Sequence, residues 1–259
     1  MPHSTNRLKE ALAGGRVQIG LWLAMASPTA AEIAAAAGFD WCVIDGEHGP
    51  NDIPAILDQL RAMAGGGAEP VVRVPAGEPW IIKQVLDLGA RSLIVPMVDT
   101  PGEAEALVRA TRYAPEGIRG QAAPIVRASG YGARRDYVEA ANREICLIVQ
   151  AETARAMENI GEIAAVEGVD CVFIGPADLS CDMGYPGNPD APEVRAAIDA
   201  GAAAIRAAGK AAGIIPAGAA DFPALAAAGF GFIGLGADVV LLAEGMRGLA
   251  RDARAALGL

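Results

Sequence analysis

The chain has 259 residues, 53% of them hydrophobic, enough to bury a large core in one α/β domain. Its formal charge of -10 argues against nucleic acid or an anionic membrane as partner, because proteins that bind phosphates present basic surfaces. No stretch approaches the roughly 20 apolar residues of a membrane span, and the polar opening MPHSTNRLKE is not a signal peptide, so a cytoplasmic protein acting on small molecules is expected.

Eight short apolar runs read as strands in chain order: VQIGLW from Val17, WCVI from Trp41, PVVR from Pro70, SLIVP from Ser92, ICLIVQ from Ile145, CVFIG from Cys171, AAGII from Ala211 and FIGLG from Phe232. Helical patterns lie between them, among them 29–37, 53–63, 80–88, 103–111, 193–208 and 222–228. Gly38, Gly89, Gly168, Gly209 and Gly229 close helices in the way a left-handed C-cap requires. Eight βα units predict a single α/β domain over 1–259, a (β/α)8 TIM barrel. A last helix over about 238–259 carries an apolar stripe of Val239, Leu242, Met246, Leu249, Ala253 and Leu257, which either closes the barrel or docks on a neighbouring subunit.

Two segments are longer than ordinary connections. Residues 112–135 hold Arg112, Arg119, Arg127, Arg134 and Arg135, and residues 179–192 are rich in Gly, Pro and Asp. Each is long enough to cover a mouth of the barrel, although arginines so placed more commonly pair with surface acids. Of four cysteines, Cys42, Cys146 and Cys171 fall inside apolar runs and Cys181 does not; with no CxxC pair they read as reduced and structural, and a zinc cluster is disfavoured.

In a parallel barrel the C-terminal strand ends carry the chemistry. The polar residues there are Asp45, Glu47 and His48 after the second strand, Arg73 at the third, Gln150 and Glu152 at the fifth, and Asp178 after the sixth. Glu152 and Asp178 follow neighbouring strands, so they can share a hard divalent cation whose remaining ligands are waters. Each alone would also serve as a helix cap or first-turn acid. His48 lies three residues beyond Asp45, a spacing at which a carboxylate can orient an imidazole for proton transfer. Arg73 needs an anionic partner, either a structural carboxylate or a substrate. Glu47 is read as a structural neighbour of the dyad.

The words QIGLWLAMASP, AGFDWCVIDGEHGPN, PVVRVP, IKQVLDLGA, LIVPMV, ATRYAPEGIRG, LIVQAET, VEGVDCVFIGPADLS and MGYPGNP together resemble the HpcH/HpaI aldolase family, nearly end to end. The resemblance implies a barrel of the phosphoenolpyruvate/pyruvate type and a class II aldolase that reversibly cleaves 4-hydroxy-2-oxo acids to pyruvate, or hydroxypyruvate, and an aldehyde. It implies Glu152 and Asp178 as ligands of Mg, Mn or Co, Asp45 and His48 as the acid/base pair, and Arg73 as the group that stabilises the keto or enolate oxygen. Gln150, Gly175, Pro176, Ala177, Trp22 and Ile215 are implied at the substrate. It also implies a homo-hexamer built as a trimer of dimers with exchanged C-terminal helices.

The chain departs from the family pattern at QAAPIVRASGYGARR, a segment expected near the mouth and the aldehyde acceptor, and Ile215 and Pro216 in GIIPAGAADF are expected on the acceptor side. A Schiff-base aldolase is disfavoured because Lys9, Lys83 and Lys210 all fall away from the strand ends. A coenzyme A thioester lyase of the same superfamily, and a non-catalytic barrel using GLGADVV at Gly234 to hold an anion, are the alternatives.

Overall fold

Strand and helix alternate eight times around a closed parallel barrel whose strands pair in sequence order, β1 to β8, with β8 returning to β1. The computed structural model describes residues 5–216 and 221–259. The strands are β1 (Gln18–Leu23), β2 (Trp41–Asp45), β3 (Glu69–Arg73), β4 (Ser92–Val95), β5 (Cys146–Ala151), β6 (Cys171–Ile174), β7 (Ala211–Ile214) and β8 (Phe230–Ala237). The helices are α1 (Arg7–Ala13), α2 (Pro28–Ala36), α3 (Ile53–Ala62), α4 (Pro79–Asp87), α5 (Pro101–Thr111), α6 (Tyr137–Glu144), α7 (Ala154–Ala165), α8 (Pro176–Asp182), α9 (Pro192–Ala207), α10 (Phe222–Ala228) and α11 (Asp238–Leu257).

The continuous apolar runs of the sequence have a simple cause. Alternate strand residues face opposite sides, and here both sides are buried. Cys42, Ile44, Leu147 and Val149 face the helices, while Trp41, Val43, Val71, Ile94, Cys146, Ile148, Cys171, Phe173 and Phe232 fill the barrel. Trp41 stacks on Phe232 with ring centroids 3.9 Å apart, and Trp22 meets Trp41 edge-on at 5.3 Å. Four helices, α2, α3, α5 and α10, open on both a side-chain cap and a proline, as at Ser27-Pro28 and Thr100-Pro101, where the missing N–H of proline costs nothing.

α1 seals the N-terminal end. Leu8 and Leu12 join the aromatic cluster inside the barrel. Asn6 Nδ2 donates to Glu144 O at 3.0 Å and Ser92 Oγ at 3.0 Å, and Lys9 Nζ donates to both Asp170 carboxylate oxygens at 2.8 Å.

Three expectations change. The 112–135 segment lies at this N-terminal end rather than at the catalytic mouth, because it follows α5 and leads into α6: Arg119 pairs with Asp87 at 2.7 Å and Arg127 Nη1 donates to Leu88 O at 2.7 Å, both at the end of α4. Two more of its arginines meet acids, Arg112 with Glu116 at 3.7 Å and Arg134 with Glu144 at 3.0 Å. The 179–192 segment begins as the end of α8 and only then becomes a loop. Finally, α11 does not close the barrel, for it buries none of its residues and leaves Leu241, Leu242, Met246 and Leu249 exposed. Cys42, Cys146 and Cys171 are buried and, like the exposed Cys181, unpaired. Among the described residues no helix is long and apolar enough to cross a membrane.

Candidate active site

β2 and β3 set the first pair of groups. Asp45 and Arg73, the last residues of their strands, are directly opposite in the parallel register. Both are buried, and the guanidinium grips the carboxylate with two bonds, Nε to Oδ1 and Nη2 to Oδ2, each 2.8 Å. That fork geometry fixes the plane of the guanidinium. The indole of Trp22 on β1 lies beneath it, 5.9 Å from the guanidinium carbon to the ring centroid, and Ile215 packs against the same cluster. Arg73 thus finds the anionic partner that its burial requires, and finds two.

The second is Glu47. Its Oε2 lies 2.9 Å from Arg73 Nη1 but outside hydrogen-bond geometry, so this buried oxygen has an ionic contact and no donor. Burial raises the Glu47 pKa, opposed by the charges of Arg73 and His48 and reinforced by Asp45 and Asp178. The imidazole of His48 is 68% exposed, and the carboxylate nearest it is Glu47 at 3.9 Å. Asp45 does not orient that ring as expected. Its carboxylate is occupied by Arg73, and its Oδ1 accepts the backbone N–H groups of Glu47 at 3.1 Å and His48 at 3.3 Å. Asp45 holds the turn and the arginine; Glu47 faces the histidine.

Across the mouth, β5 delivers Gln150 and Glu152. Glu152 is buried, with Oε1 accepting the Met97 N–H at 2.9 Å and Oε2 accepting a short hydrogen bond from Gln150 Nε2. Met97 follows β4 in a left-handed conformation (φ 56°), a strained arrangement for a side chain with a Cβ, and it aims that N–H at the carboxylate. Burial pushes the Glu152 pKa up to about 6; the two hydrogen bonds oppose the shift, and Asp178 and Glu47 add to it. Gly175 leaves the space this carboxylate occupies, for a Cβ there would come within 2.7 Å of Glu152 Oε2. Pro176 is buried, Ala177 is exposed, and Asp178 projects from the first turn of α8 in an exposed position.

Glu152 and Asp178 fit a hard divalent cation. Both offer oxygen, they repel one another in a partly desolvated site, and a cation between them removes that repulsion. Among the described residues no third His, Cys, Asp or Glu converges with them, so such an ion would take its other ligands from water and substrate, as magnesium commonly does.

Reasoning from sequence missed four participants: Glu47 as a partner of Arg73 and His48, Met97 as a donor to Glu152, and the buried pair Asn51 and Gln59 under the His48 loop. Asn51 in GEHGPN was the one available signal, a polar residue between a loop and a helix. The acceptor-side segment GIIPAGAADF is described through Pro216 and again from Asp221; residues 217–220 lie outside the described residues. Lys9 and Lys210 are at the N-terminal end, bonded to Asp170 and to Val169 O, and Lys83 sits on α4.

Comparison with known proteins finds relatives along nearly the whole chain. The model of the HpcH/HpaI aldolase/citrate lyase family matches residues 18–245. A hydroxypyruvate/pyruvate aldolase of Agrobacterium fabrum is 55% identical over 96% of this chain and 94% of its own length. A 4-hydroxy-2-oxo-heptane-1,7-dioate aldolase of Salmonella dublin is 50% identical over 95% of this chain and 93% of its own. The crystal structure of a family member from Burkholderia cenocepacia J2315 superposes with a TM-score of 0.93 at 44% identity, covering 96% of this chain and all of that one.

Proposed function

The chain belongs to the HpcH/HpaI aldolase/citrate lyase family, and from that premise we propose that it is a divalent-metal-dependent aldolase. It cleaves 4-hydroxy-2-oxo acids reversibly to an aldehyde and pyruvate or hydroxypyruvate. The observation that carries this reading is one buried guanidinium, gripped by Asp45 at the end of β3, at the same barrel mouth as Glu152 and Asp178, two carboxylates that repel one another and make no ion pair among the described residues. Magnesium or manganese bound at Glu152 and Asp178 would supply Lewis acidity to the carboxylate and keto oxygens of the 2-oxo acid.

The chain's own groups do the rest. Arg73 keeps N–H donors beyond those committed to Asp45 and turns them to the C2 oxygen, where negative charge grows as the C3–C4 bond breaks. Because Asp45 fixes the guanidinium beforehand, no reorganisation is needed at that moment. His48, with its ring in the open mouth, takes the proton of the C4 hydroxyl as the aldehyde forms and returns it in the aldol direction. Glu47 stabilises the imidazolium so produced. Gln150 and Met97 keep Glu152 turned toward its ligand, Gly175 to Ala177 line the donor side, and Trp22 and Ile215 form an apolar floor that keeps water from the enolate.

The test is proton NMR of pyruvate in deuterium oxide, with the metal-stripped protein and then with manganese or magnesium restored. Methyl exchange that appears only with metal is expected, and exchange absent in both samples overturns the reading.

We also assign α11 to a second copy of the chain. A 20-residue helix with no buried residue and an apolar stripe supports exchange between subunits, as does the exposed Ile33 on α2, beside the barrel face where α11 would otherwise pack. The hexamer that the family resemblance implies follows if such dimers associate in threes, and sedimentation of the intact chain tests it. Four unpaired thiols suit a reducing cytoplasm.

A further inference from the structure

Three residues past His48, on the far limb of the same loop, Asn51 is buried and fully engaged. Its Nδ2 donates to Asp45 O at 2.8 Å and to Leu23 O at 3.1 Å, while Oδ1 accepts from Gln59 Nε2 at 2.5 Å. The partners fix which way each amide faces: two carbonyls require the nitrogen of Asn51, so its oxygen requires the nitrogen of Gln59. Gln59 Nε2 also donates to Ala55 O at 3.1 Å, which leaves Gln59 Oε1 buried without a donor. A leucine at that position in α3 would remove this orphan but would take the donor from Asn51 Oδ1, so Gln59 is kept for what it does to Asn51. Unsatisfied buried polar groups that a chain keeps in its core mark sites where geometry matters more than stability.

The loop is wrapped on this amide. At Gly49 a Cβ would come within 2.6 Å of Asp45 O and 2.7 Å of Asn51 Nδ2, so the backbone on either side of His48 is drawn tight around Asn51. Its carbonyl partners are the C-terminal ends of β1 and β2, the two strands that present Trp22 and Asp45. Beyond its 3.9 Å contact with Glu47, the imidazole makes no side-chain hydrogen bond among the described residues, so its position depends chiefly on its backbone.

We propose that Asn51, braced by Gln59, is the positioning residue of His48: it ties the loop to the ends of β1 and β2 and holds the imidazole at the point where the C4 hydroxyl proton is transferred. This rests on the reading of His48 as the proton-transfer group, and the experiment separates the two. Asn51→Ala and Gln59→Leu are made alone and in a His48→Ala background. Each protein is assayed for addition of pyruvate to glyceraldehyde with manganese, for manganese affinity and for thermal stability.

Asn51→Ala is expected to lower kcat about 10- to 100-fold, the range for a displaced catalytic group, with KM for pyruvate and manganese affinity within about twofold of the parent. Gln59→Leu should cost about 3- to 10-fold, because Asn51 still holds both carbonyls. Neither should deepen the loss in the His48→Ala background, since residues that act through one group are not additive. Losses of equal factor in both backgrounds, or a folded Asn51→Ala protein with parental kcat, overturn the proposal. Parental turnover in His48→Ala overturns the proton-transfer reading and this proposal with it. Should Asn51→Ala fail to fold, Gln59→Leu, which replaces a side chain of similar volume, carries the same test.

Discussion

The two ends of this barrel are built from the same strands and finished in opposite ways. At the N-terminal end, charges are paired within the chain, Lys9 with Asp170 and Arg91 with Glu69 at 2.9 Å, and Asn6 donates to Ser92 in β4 and to Glu144 O at the end of α6; only Tyr113 Oη and Arg119 Nε, among the described residues there, are buried without a hydrogen-bond partner. At the C-terminal end, Asp45 and Glu47 contact the guanidinium of Arg73, Glu152 and Asp178 repel one another, and among the described residues the buried oxygens Glu47 Oε2 and Gln150 Oε1 have no hydrogen-bond donor. Packing does not explain the contrast, because both ends are lined by buried strand residues. The ion pairs of the base are closed within the chain, whereas Glu152 and Asp178 at the mouth make no ion pair among the described residues. Substitutions at the mouth should therefore cost activity more than stability, and substitutions at the base the reverse.

The sharpest break of that contrast is Arg73→Ala. Removing the guanidinium that Asp45 and Glu47 contact should lower kcat/KM by about 10³-fold, the scale for losing a donor aimed at developing charge. Arg73→Lys should recover little of it, because an ammonium cannot hold Asp45 by two bonds and reach substrate as well. Steady-state kinetics of both variants check this, and near-parental activity in Arg73→Lys would mean that charge alone suffices. Next comes Glu152→Gln, expected to weaken manganese binding about 100-fold, as seen when a ligand or its support is lost, while the metal-free protein is not destabilised. Calorimetric titration with manganese alone, beside urea unfolding, separates the two effects.

Much of this division could be read before any coordinates. Continuous apolar runs ending in Asp45, Arg73 and Glu152 identify strand ends, and strand order alone puts those ends on one face. The placement of residues 112–135 was equally legible: a segment between a helix and the next strand must lie opposite the mouth, and the arginines obscured that. Other features were not legible. Asp45 and Arg73 meet because β2 and β3 pair in a register that sequence spacing does not reveal. The roles of two neighbouring acids, Asp45 on the arginine and Glu47 between the arginine and the histidine, depend on where a tight loop turns. Gln59 looks like any polar residue of a surface helix until its burial is known.

At the base, Lys9→Met should sharpen the contrast from the other side. Lys9 is partly exposed, and removing it leaves the Asp170 carboxylate without its cation, though still accepting the Leu147 N–H, and takes the Lys9 donor from the Ile145 carbonyl, so about 1–3 kcal/mol of stability should be lost. For a chain of this size that is a fall in Tm of several degrees, with kcat per folded molecule unchanged. A changed kcat would show that the two ends are coupled through the barrel.

The smallest effect concerns the pH dependence of the metal-free protein. Glu152 is held at about 6 in the folded chain against 4.5 for the free group. The folded state therefore keeps the proton to higher pH than the unfolded state does. Below pH 4.5 both states are protonated and the group is neutral to stability; between 4.5 and about 6 the unfolded chain ionises first, so stability falls as pH rises; above that the penalty is constant, on the order of 2 kcal/mol. Glu152→Gln cannot ionise and should lack this fall. Urea unfolding of the two metal-free proteins between pH 4.5 and 7 should therefore diverge as pH rises, with the variant the more stable at the upper end. Saturating manganese should reverse the trend for the parent alone, because binding to the ionised carboxylate then adds stability where ionisation had removed it. Parallel curves would put the imbalance of the mouth on groups other than Glu152, Glu47 being the first to examine, since its pKa is raised as well.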